Sequence, residues 1–252
     1  MALFGEDVGV NGSRTGTQNM SIDIGGMRKP YKGKNEAFTE DDLAAKEPFA
    51  QFTAWFTEAC YTPGIIEANA MCLATATRDG KPSARMVLLK GYGKEGFRFF
   101  TNSSSKKGQE LTENPQASLC FYWEPLMRSV RVEGKVERLS EEASSEYFHS
   151  RPRSSQIGAC VSPQSQVISG RHILTDKEQQ LNEEYKDETV EIPRPDCWGG
   201  FLVVPESVEF WQGQTTRIHD RIRFRRLAMD EKINETLTKR GEDGWVYERL
   251  AP

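Results

Sequence analysis

From Ala70 onward the apolar positions recur at every second residue. Segments 70–77 and 82–90, divided by Arg78-Asp79-Gly80, read as a hairpin. Successive side chains of a strand point to opposite faces, and Asp-Gly supplies the positive φ that a tight turn needs. A third strand is predicted at 97–101, beyond the turn between Gly91 and Gly96. A further pair spans 117–124 and 128–139, and later strands cover 198–204, 207–211 and the alternating stretch through Arg217 to Phe224. Elsewhere the period is helical. Phe49, Phe52, Trp55, Phe56 and Ala59 follow Pro48 at helical spacing and stop before Pro63-Gly64, a stripe suited to core packing. Ser140 opens a helix that runs through Tyr147 to Arg151, with Pro152 at its end, and Thr175 to Glu178 reads as a capping box starting a polar helix to about Lys186. Sequential antiparallel strands with short turns predict a meander that closes into a small barrel, mainly β with flanking helices, an α+β fold. Residues 1–26, rich in Gly, Ser, Asn and Thr, predict a flexible arm, and 27–252 a single domain.

Composition narrows the function. With 37% hydrophobic and 28% charged residues over 252 positions and a net charge of −4, any acidic ligand must be met by local clusters of cations, and no general nucleic-acid role is expected. No apolar run approaches the roughly 20 residues of a membrane-spanning helix, and the opening residues lack the pattern of a secretory signal, so an intracellular, cytoplasmic protein is expected. The five cysteines form no CxxC pair and the three histidines stand at no metal-ligand spacing, which argues against a metal site and leaves hard chemistry to an organic cofactor. Neither dinucleotide-binding nor P-loop glycine patterns occur.

Three stretches carry candidate chemistry. In a strand, Arg217, His219, Arg221 and Arg223 share one face, an anion-reading surface because guanidinium forks match phosphate and carboxylate; the same pattern fits an edge strand with a solvated basic face. Ser103 to Gly108 is a serine-capped helix start carrying Lys106 and Lys107. Its free N–H groups suit a phosphate, and equally an ordinary capped helix with exposed lysines. Tyr147, Arg151 and Ser155 lie at i, i+4 and i+8, on one side if the helical path continues across Pro152; the alternative is a helix end stabilised by a cation.

The wording of these stretches resembles one family. WQGQTTRIHDRI at 211–222, RMVLLK at 85–90, FFTN at 99–102, SSSKKG at 103–108, YFHSRPRSSQIGA at 147–159 and the ending Trp245 to Pro252 resemble the pyridoxine (pyridoxamine) 5′-phosphate oxidase family, in that family's order. The resemblance implies an antiparallel FMN-binding split β-barrel, dimeric, with FMN at the subunit interface. It implies oxidation of pyridoxine 5′-phosphate and pyridoxamine 5′-phosphate to pyridoxal 5′-phosphate, with dioxygen giving hydrogen peroxide and with ammonia released from the amine. Carried over, Lys90, Tyr147, Arg151 and Ser155 hold the substrate phosphate, Arg217 and His219 flank the substrate ring as the catalytic pair, and the segment with Lys32 comes close to substrate. Arg85, Lys106 and Lys107 hold the flavin phosphate; Met86, Val87, Leu88, Phe100, Thr101, Gln164, Ser165 and Trp211 line the flavin, and Arg221 sits against it. Three positions depart from the family pattern: Ser129 replaces a flavin-contacting glutamine, Lys106 an arginine and Pro163 a histidine. Ser129 reaches less far, which predicts weaker flavin affinity. The alternative function is a split-barrel flavin-binding protein or reductase with another substrate.

Overall fold

The computed structural model describes Tyr31 and residues 37–252, so the expected arm at 1–26 and Lys32 lie outside the described residues. The elements in order are α1 (Pro48–Tyr61), β1 (Ala70–Ala76), β2 (Pro82–Leu88), β3 (Gly91–Gly93), β4 (Gly96–Asn102), α2 (Lys106–Glu113), β5 (Gln116–Trp123), β6 (Arg128–Arg138), α3 (Glu141–Ser150), α4 (Arg153–Val161), α5 (His172–Glu184), β7 (Trp198–Gln212), β8 (Asp220–Arg226), β9 (Thr238–Arg240) and β10 (Trp245–Arg249). Among the described residues every strand pairing is antiparallel, as the meander predicts. None of the described helices is long and apolar enough to cross a membrane.

The strand that shapes the sheet is β7. One edge runs along β6 from Phe201 to Gln212, while the other pairs first with β4 (Trp198 to Val203) and then with β8 (Ser207 to Gln212). One sheet thus branches at β7, and its main ladder, ordered β2-β1-β5-β6-β7-β8-β10-β9, ends on β2 and β9. The sequence reads two strands here, broken at Pro205-Glu206. The chain instead stays extended through a bulge, where the β6 register shifts between Glu133 and Gly134. A bulge tolerates the N–H that proline lacks, and Gly134 permits the close approach, since a Cβ there would fall on the Val204 carbonyl.

Alternation fills the core. The inward positions of β5 are Ala117, Leu119, Phe121 and Trp123, those of β6 include Val130 and Val132, and those of β8 are Ile222 and Phe224. Helix α1, started by the Glu47 carboxylate accepting from the N–H groups of Phe49 and Ala50, lays Phe52 against Phe97 and Phe121 at centroid distances of 5.0 and 5.2 Å. Burying each such ring contributes on the order of 2 kcal/mol. Helix α5 begins three residues before the predicted capping box, so Thr175 sits in its first turn and donates back to the His172 carbonyl at 3.1 Å.

On the outer face of β8 and β10, Glu248 is clamped by Arg223 at 2.6 Å, Arg225 at 2.7 Å and the Thr238 hydroxyl at 2.8 Å. Burial raises its pKa, yet these bonds outweigh burial and bring it from 4.5 down to about 2. A depressed folded pKa stabilises the fold above the ordinary value and is lost as pH falls towards the folded one. Urea titrations below pH 4.5 should therefore show a shallower loss of stability in Glu248→Gln than in the parent; identical slopes would refute this role.

Candidate functional site

Strands β2 and β4, the start of α2, the α3–α4 junction and the loop after α4 enclose a cavity of about 430 Å³. At one end, Arg151 is extended (φ −79°, ψ 154°) and caps α3, Pro152 follows, and Arg153 begins α4. Proline's missing N–H and the restriction it places on the preceding residue break the helix there. The predicted trio therefore meets across a break: Tyr147 lies in the last turn of α3, Ser155 lies in the first turn of α4 with its N–H on the Pro152 carbonyl at 2.8 Å, and both line the cavity with Arg151 and Lys90. The Arg151 guanidinium lies 4.9 Å over the Trp198 ring. Its Nη1 is buried without a partner among the described residues, and burial lowers its pKa. Trp198, Phe100 and Tyr147 form a stack, with Phe100 4.0 Å from Tyr147 and 5.4 Å from Trp198. Sequence reading placed Trp198 only as a strand start; its place under Arg151 comes from the β4–β7 register, which sets it opposite Asn102.

At the other end stand Arg85 and Lys107. Ser105 caps α2 by accepting the Gly108 N–H at 3.3 Å. Gly108 lets the 103–105 turn press on the helix, because a Cβ would collide with the Ser103 backbone. Lys107 is buried and donates from Nζ to the Gln164 Oε1 at 2.7 Å and to Ser105 Oγ at 3.3 Å, while Thr101 donates to the same Gln164 oxygen at 3.3 Å. Burial first, and the Arg85 charge second, lower the Lys107 pKa, with Glu110 opposing. Met86, Val87 and Leu88 supply the β2 wall. Lys106 points outward, its side chain 64% exposed, and Ser165, in the left-handed region at φ 72°, is exposed beside Gln164; neither lines this cavity. Among the described residues, four cations and no carboxylate line it, a donor set suited to anions.

The remaining predicted residues gather on the outer face of the sheet. Pairing sets Ser129 opposite Trp211 and Trp211 opposite Arg221, and all three line a second cavity of about 380 Å³ with Cys120, Arg131, Glu209 and Pro252. Arg221 donates to Glu209 at 2.7 and 3.2 Å and to the Ala251 carbonyl at 2.7 Å. These bonds to Glu209 raise its pKa.

The predicted basic face is corrected at its start. Strand β8 begins at Asp220, so Arg217 and His219 belong to the preceding turn, Arg217 with φ 64°. The Asp220 carboxylate accepts from the Phe38 N–H at 3.0 Å, from Gln214 Nε2 at 2.9 Å and from Arg249 Nη1 at 3.0 Å, which fixes the turn and ends the alternation. Within it, the Gln214 N–H donates to His219 Nδ1 at 3.0 Å. A backbone N–H only donates, so the neutral ring carries its proton on Nε2. Burial and then the Arg217 charge lower the His219 pKa, opposed by Asp220, and the ring lies 4.9 Å from Trp211 and 6.0 Å from Tyr31.

Comparison with known proteins gives one family. Residues 57–183 match the family described as pyridoxamine 5′-phosphate oxidase, and 198–252 match the pyridoxine 5′-phosphate oxidase C-terminal dimerisation region. A Bombyx mori protein named pyridoxine/pyridoxamine 5′-phosphate oxidase is 57% identical over 93% of this chain and 91% of its own length. A Bos taurus pyridoxine-5′-phosphate oxidase is 59% identical over 94% and 90%. Among solved structures, PhzG from Burkholderia lata, in complex with tetrahydrophenazine-1-carboxylic acid, superposes with a TM-score of 0.73 at 28% identity, covering 85% of this chain and 97% of that one. A pyridoxamine 5′-phosphate oxidase-related, FMN-binding protein from Nostoc punctiforme, 16% identical, shares the fold with a TM-score of 0.58, over 80% and 97%.

Proposed function

The chain belongs to the pyridoxine (pyridoxamine) 5′-phosphate oxidase family, and from that premise we propose that it oxidises pyridoxine 5′-phosphate and pyridoxamine 5′-phosphate to pyridoxal 5′-phosphate with FMN as cofactor. The observation that carries the reading is the buried Nη1 of Arg151, without a partner among the described residues, in a cavity shared with Lys90, Tyr147 and Ser155. A buried guanidinium with an unmet donor is costly, and a phosphate would meet it. The second cation pair, Arg85 and Lys107 beside the capped end of α2, suits a second phosphate.

When bound, FMN supplies the two-electron acceptor, which dioxygen reoxidises to give hydrogen peroxide. The chain supplies position and charge. Lys90, Tyr147, Arg151 and Ser155 fix the substrate phosphate, which converts the encounter at C4′ into an effectively unimolecular one. Arg85 and Lys107 anchor the FMN phosphate, and Met86, Val87, Leu88, Phe100, Thr101 and Gln164 line the flavin. Arg217 stabilises negative charge on the pyridine ring oxygen. His219, with Nδ1 accepting the Gln214 N–H, presents an Nε2–H donor that orients the C4′ oxygen or nitrogen. The match to a dimerisation region supports a homodimer. In that assembly the face bearing Ser129, Trp211 and Arg221 on one protomer covers the phosphate cavity of its partner, uniting groups that lie in two cavities of one chain.

Adding pyridoxine 5′-phosphate to the yellow protein without oxygen is expected to bleach the flavin band, with recovery and pyridoxal 5′-phosphate on admitting air. A protein that stays yellow would keep the flavin site and reject these substrates; one that takes up no flavin would reject both.

A further inference from the structure

We propose that Glu110 is a positioning residue of the flavin-phosphate clamp, acting through Arg85 without touching the ligand. The inference rests on the reading of Arg85 and Lys107 as the phosphate anchor. Glu110 lies in α2 and is 3% exposed. Its Oε2 accepts the Thr75 hydroxyl at 2.5 Å and Arg85 Nη2 at 3.3 Å. Arg85 in turn donates from Nη1 to the Leu73 carbonyl at 3.3 Å and to the Thr75 hydroxyl, and from Nη2 to Ser83 Oγ. Both terminal nitrogens are thus tied to β1, β2 and α2. A long, rotamer-rich side chain is held in one pose, with its charge on the cavity wall.

The carboxylate has little other reason to be there. Its Oε1 is buried without a hydrogen bond among the described residues, with Lys106 Nζ 3.8 Å away. Burying a half-satisfied carboxylate is unfavourable on its own. It becomes favourable only beside the cations that crowd this corner, Arg85, Lys106 and Lys107. Apolar side chains of similar volume would pack the same space without that cost. What they would not do is hold a guanidinium by charge-assisted bonds, the stronger and more directional kind. Thr75, 4% exposed, bridges the two groups, so carboxylate, hydroxyl and guanidinium form one closed unit behind the phosphate site.

The test separates phosphate recognition from fold. The full-length chain, freed of flavin, is titrated with FMN and with riboflavin, which has the same ring and no phosphate, for the parent, Glu110→Leu, Glu110→Gln and Thr75→Val. The parent should prefer FMN. In Glu110→Leu that preference should fall about tenfold or more, with riboflavin affinity changed less than about twofold. Glu110→Gln, whose amide oxygen still accepts from Thr75 and Arg85, should recover most of the preference. Equal losses for the two ligands, an unchanged preference in Glu110→Leu, or a glutamine no better than leucine would each overturn the proposal. Should Glu110→Leu fail to fold, Thr75→Val decides: a lowered preference with riboflavin unaffected supports the role, and an unchanged one overturns it. A parent chain that binds FMN no better than riboflavin defeats the phosphate assignment itself and this inference with it. A parent that prefers FMN beside variants that keep the preference defeats the inference alone.

Discussion

Replacing Arg151 with alanine is expected to raise the KM for pyridoxine 5′-phosphate by about 100-fold or more while the protein keeps its flavin and its fold. Each charge-assisted hydrogen bond to a phosphate contributes roughly 1.5–3 kcal/mol, and a guanidinium fork makes two. Losing both is worth about 3–6 kcal/mol, or roughly two to four powers of ten in affinity. Stability should move little, for opposing reasons. The guanidinium is poorly satisfied in the free protein, its Nη1 buried without a partner among the described residues and its pKa lowered by burial, so removing it relieves a desolvation cost. Against that stands the contact 4.9 Å over Trp198, worth on the order of 1 kcal/mol. Arg151→Lys, which keeps charge and loses the fork, should fall between, since a point charge matches phosphate without the bidentate geometry. The control is unphosphorylated pyridoxine: its kcat/KM should barely change in Arg151→Ala. Equal losses for the two substrates would show that Arg151 supports the cavity and does not read the phosphate.

Arg151, Tyr147 and Ser155 were legible in the sequence because their convergence is local. Even the helix break at Pro152 leaves them within a few residues of one another along the chain, and the cavity wall of β2 from Arg85 to Leu88, with Lys90 just beyond it, comes from one contiguous run. The groups behind them were not legible. Glu110 meets Thr75 across 35 positions and Arg131 meets Glu209 across 78, pairings fixed by sheet register and helix docking, which alternation alone does not specify. The turn before β8 hid for a related reason. Arg217 to Arg223 alternates as a strand would, but Asp220 is anchored from three directions, including the distant Phe38 and Arg249, and a left-handed residue at Arg217 leaves no local signature when that residue is not glycine. Pro205 misled in the opposite sense, since a bulge kept extended a strand that proline was expected to end. Division of the predicted site residues between two cavities is likewise invisible to motifs, which do not report where in the fold each part stands.

Arg221→Ala is expected to lower both Tm and flavin retention, and a second substitution should separate the two. Glu209 is 5% exposed; its Oε1 accepts Arg221 Nε at 2.7 Å, and its Oε2 accepts Arg221 Nη2 at 3.2 Å and Arg131 Nη2 at 2.7 Å. Removing Arg221 leaves a buried carboxylate held from one side only, a loss of roughly 2–4 kcal/mol by analogy with broken buried pairs. For a chain of this size that is about 4–16 °C in Tm. The same change frees the Ala251 carbonyl that Arg221 Nη1 holds at 2.7 Å, loosening Pro252 at the rim of the second cavity. Replacing both members, Arg221→Leu with Glu209→Leu, removes the orphaned charge and adds apolar contact, and buried ion pairs exchanged in this way often cost nothing. Arg131 keeps its bond to Glu133 at 2.9 Å. The double variant should therefore regain most of the lost Tm. If Arg221 meets flavin across the dimer, FMN retention should remain low despite the restored fold, because the cation itself is missing. Recovery of flavin along with Tm would assign Arg221 to the fold alone.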